Sequence, residues 1–258
     1  MSQAVKSVNG TPKIGNVRPQ ARVEPSQRWV RVEFNEQVVA DSKRPVLVWP
    51  EGHMVTYYFP WQDVDREALT PSRQGSDGKQ YYDLQVGEKT AAAAAWSYPE
   101  EVQEELSNYV TFKWTKMDHW YEEEEEIFVH PRDPYHRVDA VPSSRHIRVE
   151  VDGVTVADTR RPVLLFETGL PVRYYIPQED IRMDLLEPSR AVTRCPYKGA
   201  SNYWSVTAGE RTRRNIVWGY LDPVPEIPKI KGLLSFFNEK VDVYVDGELE
   251  RRPETLWS

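Results

Sequence analysis

Cysteine is almost absent from this sequence: Cys195 is the one cysteine among 258 residues. A single cysteine excludes a disulfide within the chain and any zinc site built from several cysteines. Basic residues are also outnumbered: the chain has 33 Lys and Arg residues and 40 Asp and Glu residues, so its net charge is −7. Proteins bind nucleic acid mainly through basic surfaces, so we expect no nucleic-acid partner.

Long apolar stretches are missing as well. No run approaches the roughly 20 residues that a membrane-spanning helix needs. The first residues, MSQAVKSVNG, lack the apolar segment of a signal peptide. We therefore expect a cytoplasmic protein with no membrane partner. Residues 1–27 have no periodicity and are rich in Pro, Asn, Gln and Ser, which predicts a disordered N-terminal tail.

The chain contains two copies of one sequence. Residues 28–73 and 145–190 align without gaps at an offset of 145 − 28 = 117, and 21 of the 46 aligned pairs are identical. The match resumes at Tyr81 and Tyr203, where the offset is 203 − 81 = 122, so the second copy holds five additional residues. Repeats of about a hundred residues indicate two domains rather than a solenoid. The predicted first domain, ordered linker and second domain are residues 28–129, 130–144 and 145–258.

Both copies carry the patterns of strands. RVEFNEQVVAD and RVEVDGVTVAD alternate apolar and polar residues, and VTYYFP and VRYYIP stop at a proline. RPVLVW and RPVLLF are short apolar runs rich in strand-forming residues. The sequence therefore predicts a mainly β protein with few short helices. The three segments that best fit a helix are 65–73, 99–110 and 182–190.

Several motifs of the second copy resemble a known family. V-A-D-x-x-R-P-V-L-L, R-Y-Y-I-P and C-P-Y-K-G, followed by Y-W and W-x-Y, are similar to the domain of unknown function 427. The chain looks like the tandem form of that family, with HPRDPYHRVD as the joining segment, and the resemblance covers residues 28–258. It implies two β-tent-like domains, each of two antiparallel sheets meeting at an angle. It implies little about activity, and we expect no zinc and no cofactor.

The additional residues of the second copy fall in the region of Cys195-Pro196-Tyr197. Pro196 suits the second position of a β-turn, and Gly199 can adopt positive φ. Such a turn would present Tyr197 and Lys198 near its tip. A lysine three residues away can lower the pKa of a thiol, which makes Cys195 and Lys198 candidate catalytic residues. The alternative is a structural thiol beneath a rigid turn.

A ligand pocket is another interpretation of the same domain. Arg173, which is Thr56 in the first copy, and Lys198 are the candidate anchors for an anion. Arg173 could equally stack on an aromatic ring at the surface. The candidate aromatic walls are Tyr175, Tyr197, Tyr203, Trp204 and Trp218. Strand alternation means that Tyr203 and Trp204 cannot both face the pocket.

The linker holds a polar cluster formed by His130, Arg132, Asp133 and His136. The spacing H-x-x-D-x-x-H is compatible with metal ligands, but without a helical pattern the three side chains need not converge. We therefore predict no metal site. The expected role of this segment is a hydrogen-bonded arm that fastens the two domains together.

Three functions of different classes remain open. The leading hypothesis is a soluble protein that binds a small anionic or planar ligand in its C-terminal domain, with the first copy as a scaffold or partner-facing domain. The second is a cysteine-dependent enzyme with Cys195 as nucleophile and His130, His136 or His146 as base. The third is a protein-interaction module that uses exposed aromatic residues and sheet edges.

Overall fold

The structure is a computed structural model that describes residues 22–50 and 54–258. Within this part of the chain, the N-terminal domain contains the strands β1 (Arg22–Pro25), β2 (Val30–Phe34), β3 (Gln37–Ser42), β4 (Val46–Trp49), β5 (Thr56–Pro60), β6 (Leu69–Gln74), β7 (Gln80–Val86), β8 (Lys89–Ser97), β9 (Tyr109–Phe112), β10 (His119–Glu122) and β11 (Glu125–Ile127). The C-terminal domain contains β12 (Val138–Pro142), β13 (Ile147–Val151), β14 (Val154–Thr159), β15 (Val163–Glu167), β16 (Arg173–Tyr175), β17 (Leu186–Cys195), β18 (Gly199–Ala208), β19 (Arg211–Gly219), β20 (Leu234–Phe236), β21 (Asp242–Val245) and β22 (Glu248–Leu249).

Helical structure is limited to short 3₁₀ segments in the described residues. They are Trp61–Asp63, Glu104–Leu106, Trp114–Lys116, Gln178–Asp180, Met183–Leu185 and Pro228–Ile230. Among the residues that the structure covers, no helix has the length and hydrophobicity of a membrane span.

The strands of the two domains correspond one to one. The first domain has a sheet in the order β1-β4-β5-β9-β8-β7-β6 and a second sheet in the order β11-β10-β2-β3. In the second domain, β12-β15-β16 and β17-β18-β19-β20 adjoin through backbone hydrogen bonds between Ile176 and Leu234, and β14-β13-β21-β22 forms the other sheet. All strand pairs within the named sheets are antiparallel. The predicted mainly β fold of two tandem β-tent-like domains is confirmed.

Both domains begin before the predicted boundaries at residues 28 and 145. Arg22–Pro25 of the predicted tail pairs with β4, and Val138–Pro142 of the predicted linker pairs with β15. These are short edge strands that end at a proline, so neither has the long alternation by which a strand is recognised in sequence. Residues 1–21 of the predicted tail lie outside the described residues.

The three predicted helical segments fold differently. Residues 69–74 and 186–195 are strands at sheet edges, and 99–110 contributes one 3₁₀ turn and the start of β9. Pro71 and Pro188 lie at irregularities in the strand pairing, where a residue without an N–H is tolerated. The Glu-rich and Leu-rich composition that favoured a helix is overridden by this tertiary pairing.

The arginine of R-P-V-L forms the same ion pair in both domains, with an aspartate three residues after the proline that ends VTYYFP or VRYYIP. Arg44 donates hydrogen bonds of 3.2 and 3.1 Å to Asp63, and Arg161 donates bonds of 3.0 and 3.0 Å to Asp180. The hydrogen bonds from the guanidinium groups lower the pKa of both aspartates. This arginine and this aspartate therefore make the same structural contact in both domains and are not specific to one of them.

Candidate functional site

The hairpin that carries C-P-Y-K-G is longer than its counterpart in the first domain. Strands β17 and β18 each have 10 residues, whereas β6 and β7 have 6 and 7. Cys195 ends β17 and Gly199 begins β18, and the N–H of Lys198 donates to the carbonyl of Cys195 at 3.3 Å. This is the predicted β-turn, with Pro196 and Tyr197 at its two central positions.

Gly199 lets the turn approach another backbone segment closely. Its φ is +98°, and a Cβ there would lie 3.3 Å from the carbonyl oxygen of Asp222 and 3.4 Å from the N of Val224. The N–H of Val224 also donates to the carbonyl of Lys198 at 3.2 Å. Both the positive φ and the close contact favour glycine, and together they fix the turn against the segment that follows β19.

Lys198 is buried beneath the turn in a charged network. Its Nζ lies 2.5 Å from one carboxylate oxygen of Glu167, and Nε2 of His136 lies 3.0 Å from the other. Glu167 was missed in the sequence analysis. It occupies the place of Pro50 in the first copy (167 − 117 = 50), and that replacement was the available signal.

The turn is also bound to the linker. The hydroxyl of Tyr197 accepts a hydrogen bond of 2.7 Å from the backbone N–H of Asp133, and Nε of Arg132 donates to the carbonyl of Pro196 at 3.0 Å. The rings of Tyr197 and His136 stack, with centroids 4.3 Å apart. Burial raises the pKa of Tyr197 to about 12. The turn and the linker are therefore one packed unit.

The linker contacts the first domain through the same short stretch. The indole N–H of Trp49 donates to Asp133 at 2.8 Å, and the hydroxyl of Tyr135 donates to Glu24 at 2.9 Å. The linker therefore forms hydrogen bonds with both domains. Burial lowers the pKa of His130. In residues 22–50 and 54–258, no group of His, Cys, Asp and Glu side chains is arranged to hold a metal ion.

Arg173 lies in a separate buried cluster. Its guanidinium donates bonds of 2.8 and 2.7 Å to Glu239, and the two side chains are 6% and 0% exposed. The guanidinium also lies 5.4 Å from the centroid of Trp218. Arg173 is therefore neither stacked on an aromatic ring at the surface nor free to bind an anion, because its charge is already paired within the protein.

Tyr175 and Trp218 form an aromatic pair that has a counterpart in the first domain. The indole N–H of Trp218 donates to the Tyr175 hydroxyl at 3.2 Å, and Trp96 donates to Tyr58 at 3.0 Å in the first domain. Tyr175 is fully buried. The same Trp–Tyr pair occurs in the first domain, which lacks the cysteine turn. Packing therefore explains the pair, and it is not evidence that the second domain binds a ligand.

Tyr203 and Trp204 point to opposite faces of β18. Tyr203 packs with the cluster that contains Tyr175 and Trp218, whereas Trp204 packs against the main core between the sheets. The Tyr203 hydroxyl is 2.8 Å from the hydroxyl of Thr193. Of the two residues, Tyr203 therefore packs on the side of β18 that faces Tyr175 and Trp218.

A small cleft lies where the turn meets the linker, and we call it the turn–linker cleft. Its volume is about 150 Å³. The polar lining residues are Arg132, His136 and Glu226, and the others are Val138, Pro196, Tyr197, Val224 and Ile227. Among the predicted ligand-binding residues, only Tyr197 is on this lining. Lys198 lies behind it, bound to Glu167, and Arg173 lies elsewhere.

Cys195 is partly exposed, and its sulfur takes part in no hydrogen bond in the described part of the chain. Neither Lys198 nor His130, His136 or His146 forms a hydrogen bond with its sulfur, and the Lys198 ammonium is bound to Glu167. Nucleophilic activation requires a base or a cation within reach of the sulfur.

We expect iodoacetamide to alkylate Cys195 no faster in the folded protein than in the unfolded chain. The strand end and the turn limit access to the sulfur, and no neighbouring base accelerates the reaction. Mass spectrometry of alkylation time courses, with and without urea, measures both rates. Faster alkylation of the folded protein would instead identify an activated thiol.

The fold and the turn define a class: a protein made of two homologous antiparallel β domains, of which the second carries an enlarged hairpin. The chain belongs to the family described as domain of unknown function (DUF427), which it matches over residues 22–123 and 139–247. The two matched segments begin at β1 and within β12, in agreement with the domain starts in the structure. A comparison with curated proteins gives no match.

Proposed function

We propose that the C-terminal domain binds a small anion of carboxylate type in the turn–linker cleft. The observation that carries this proposal is Arg132, a cation on the lining of the cleft whose acidic partners are exposed. Its guanidinium lies 3.3 Å from Glu226 and 3.2 Å from Glu125, and these carboxylates are 60% and 65% exposed. Exposed pairs of this kind contribute little stability, so a ligand anion can take the place of either carboxylate.

A backbone carbonyl holds the Arg132 side chain in position without neutralising its charge. Nε donates to the neutral carbonyl of Pro196, which leaves the two terminal nitrogens directed at the acidic partners. A guanidinium held in this way favours a planar, two-oxygen ligand that accepts paired hydrogen bonds. The proposal replaces Arg173 and Lys198 as anchors, because buried carboxylates neutralise both.

The size and lining of the cleft restrict the ligand further. A volume of about 150 Å³ lies below the range of about 300–1,000 Å³ that is typical of small-molecule pockets, so the ligand is small. Tyr197, Val224 and Ile227 supply an apolar surface for a short hydrocarbon part. Propionate combines these features and is a suitable probe.

Titration with propionate is expected to shift the ring signals of His136, which lines the cleft, in the NMR spectrum of protein labelled at its five histidines. Arg132→Met should weaken binding by about tenfold or more, because it removes a charge-assisted pair of hydrogen bonds. The matched control is Arg137→Met, which changes a linker arginine that is 80% exposed and outside the cleft lining. Equal affinity in both variants, each folded by circular dichroism, would refute the proposal.

A further inference from the structure

The N-terminal domain contains a groove that lies far from the cysteine turn in sequence and shares no residue with it. Two cavities of about 530 and 640 Å³ adjoin at Trp61, Arg66 and Asn108. Each volume is within the range of about 300–1,000 Å³ that is typical of small-molecule pockets. We call this surface the Trp61 groove.

Aromatic rings line one side of the groove. Trp61 and Tyr82 meet edge to face with centroids 5.3 Å apart, and Tyr98 and Tyr109 complete the aromatic lining. The Tyr82 hydroxyl is tied to the hydroxyl of Ser97 at 3.1 Å, which fixes its ring. The backbone N–H of Trp61 donates to Asn108 at 3.2 Å. A fixed aromatic wall of this kind suits a planar ring.

Arg66 supplies positive charge beside that wall. Its guanidinium lies 5.2 Å from the centroid of Trp61, and its Nε donates to the Trp61 carbonyl at 3.1 Å. Within residues 22–50 and 54–258, Arg66 makes no salt bridge. The other arginine on the lining, Arg44, is neutralised by Asp63, and Glu100 is the one acidic residue of the lining. The groove therefore presents an unneutralised cation held against an indole.

The second domain lacks this combination. Trp61 corresponds to Gln178 (178 − 61 = 117) and Arg66 corresponds to Met183 (183 − 66 = 117). Both domains keep the neighbouring ion pair of the R-P-V-L arginine, so these two lining positions differ beside a contact that the domains share. The fold accepts glutamine and methionine at these positions, and tryptophan and arginine are thus not required for it.

From these observations we infer that the N-terminal domain has its own binding site, which takes a planar aromatic ring bearing a carboxylate. The ring lies against Trp61 and Tyr82, and the carboxylate pairs with Arg66. This site is independent of the turn–linker cleft, and its ligand is larger than the one that the cleft admits. The first copy, which was expected to be a scaffold or partner-facing domain, then carries a binding function of its own.

The test uses full-length protein in which the nine tryptophans are replaced by 5-fluorotryptophan. The fluorine signal of Trp61, assigned through Trp61→Gln, is expected to shift in a saturable way with indole-3-carboxylate at up to millimolar concentration. Indole-3-carboxamide, a neutral analogue of the same shape, measures the contribution of the ring alone. No saturable shift of the Trp61 signal with the carboxylate would overturn the inference.

Variants distinguish the contribution of the Arg66 charge from that of packing against the ligand ring. Arg66→Met, which installs the residue of the second domain, should weaken binding of the carboxylate by about tenfold or more and that of the carboxamide by less than about twofold. Arg182→Met, at an exposed arginine beside Met183, is the matched control and should change neither affinity. Equal losses for both ligands, or none in Arg66→Met, would contradict the inference. Arg132→Met should leave this titration unchanged, so failure of the turn–linker cleft is distinguishable from failure here.

Discussion

Glu239→Gln is expected to lower the free energy of unfolding by about 3–5 kcal/mol. The substitution leaves Arg173 buried at 6% exposure without the carboxylate that neutralises it. Removing one partner of a buried ion pair is costly because the remaining charge keeps its desolvation penalty. Urea unfolding followed by fluorescence measures the change. The second substitution in Arg173→Met, Glu239→Gln should restore part of the loss, because no buried charge remains.

The same pair predicts a pH dependence. Burial alone would raise the pKa of Glu239, but hydrogen bonds from Arg173 and Thr255 outweigh it and lower the pKa to about 2 from the ordinary 4.5. A carboxyl group whose pKa is depressed by folding stabilises the protein above its unfolded pKa, and this stabilisation is lost as the pH falls. The difference in stability between the wild type and Glu239→Gln should therefore be constant above pH 4.5 and shrink between pH 4.5 and 2.

An exposed pair in the same domain is the control for both measurements. Arg182 and Asp184 are 58% and 59% exposed, and Arg182→Met should cost less than about 1 kcal/mol. A loss of that size in Glu239→Gln would mean that the buried geometry of the Arg173 pair is not maintained in solution.

Lys198→Met should be the second strongly destabilising change, with an expected cost of about 3–5 kcal/mol. Lys198 and Glu167 are 9% and 7% exposed, so the variant leaves a buried carboxylate with His136 as its remaining partner. The double variant Lys198→Met, Glu167→Met should cost less than the sum of the single changes, because neither charge then remains. Strictly additive costs would show that the two residues do not act as a pair.

The first domain offers a matched control for Lys198. Lys79 lies in the corresponding hairpin and pairs with Asp77 at 2.7 Å, but the two side chains are 24% and 44% exposed. Lys79→Met should therefore cost less than about 1 kcal/mol. The stability cost of Lys198→Met minus that of Lys79→Met measures what burial adds to a lysine–carboxylate pair. A large difference means that the buried pair beneath the turn stabilises the second domain.

Local pattern predicted the features that depend on neighbouring residues. The turn from Cys195 to Gly199 follows from Pro196 and from the freedom of glycine, and the alternation of β18 separates Tyr203 from Trp204. The duplicated motifs predicted two similar domains because each copy repeats the same strand pattern. These predictions required no knowledge of which strands adjoin.

The partners of the charged residues could not be predicted in this way. Arg173 pairs with Glu239 and Lys198 pairs with Glu167, and these contacts join segments separated by 66 and 31 residues. Spacing identified the cations but carried no information about the carboxylates that neutralise them. An interpretation based on local sequence therefore assigned to ligand binding two charges that are paired within the protein, and it placed Arg132 only in the linker polar cluster.

A crystal of the protein soaked in 3-bromopropionate tests the turn–linker cleft most directly, because bromine is located independently by its anomalous signal. The proposal predicts a bromine peak beside Tyr197 and Ile227, with the carboxylate within hydrogen-bond distance of Arg132, about 3 Å. The peak should be absent from crystals of Arg132→Met. Bromine peaks only at other places, with an empty cleft in the wild-type crystal, would contradict the account.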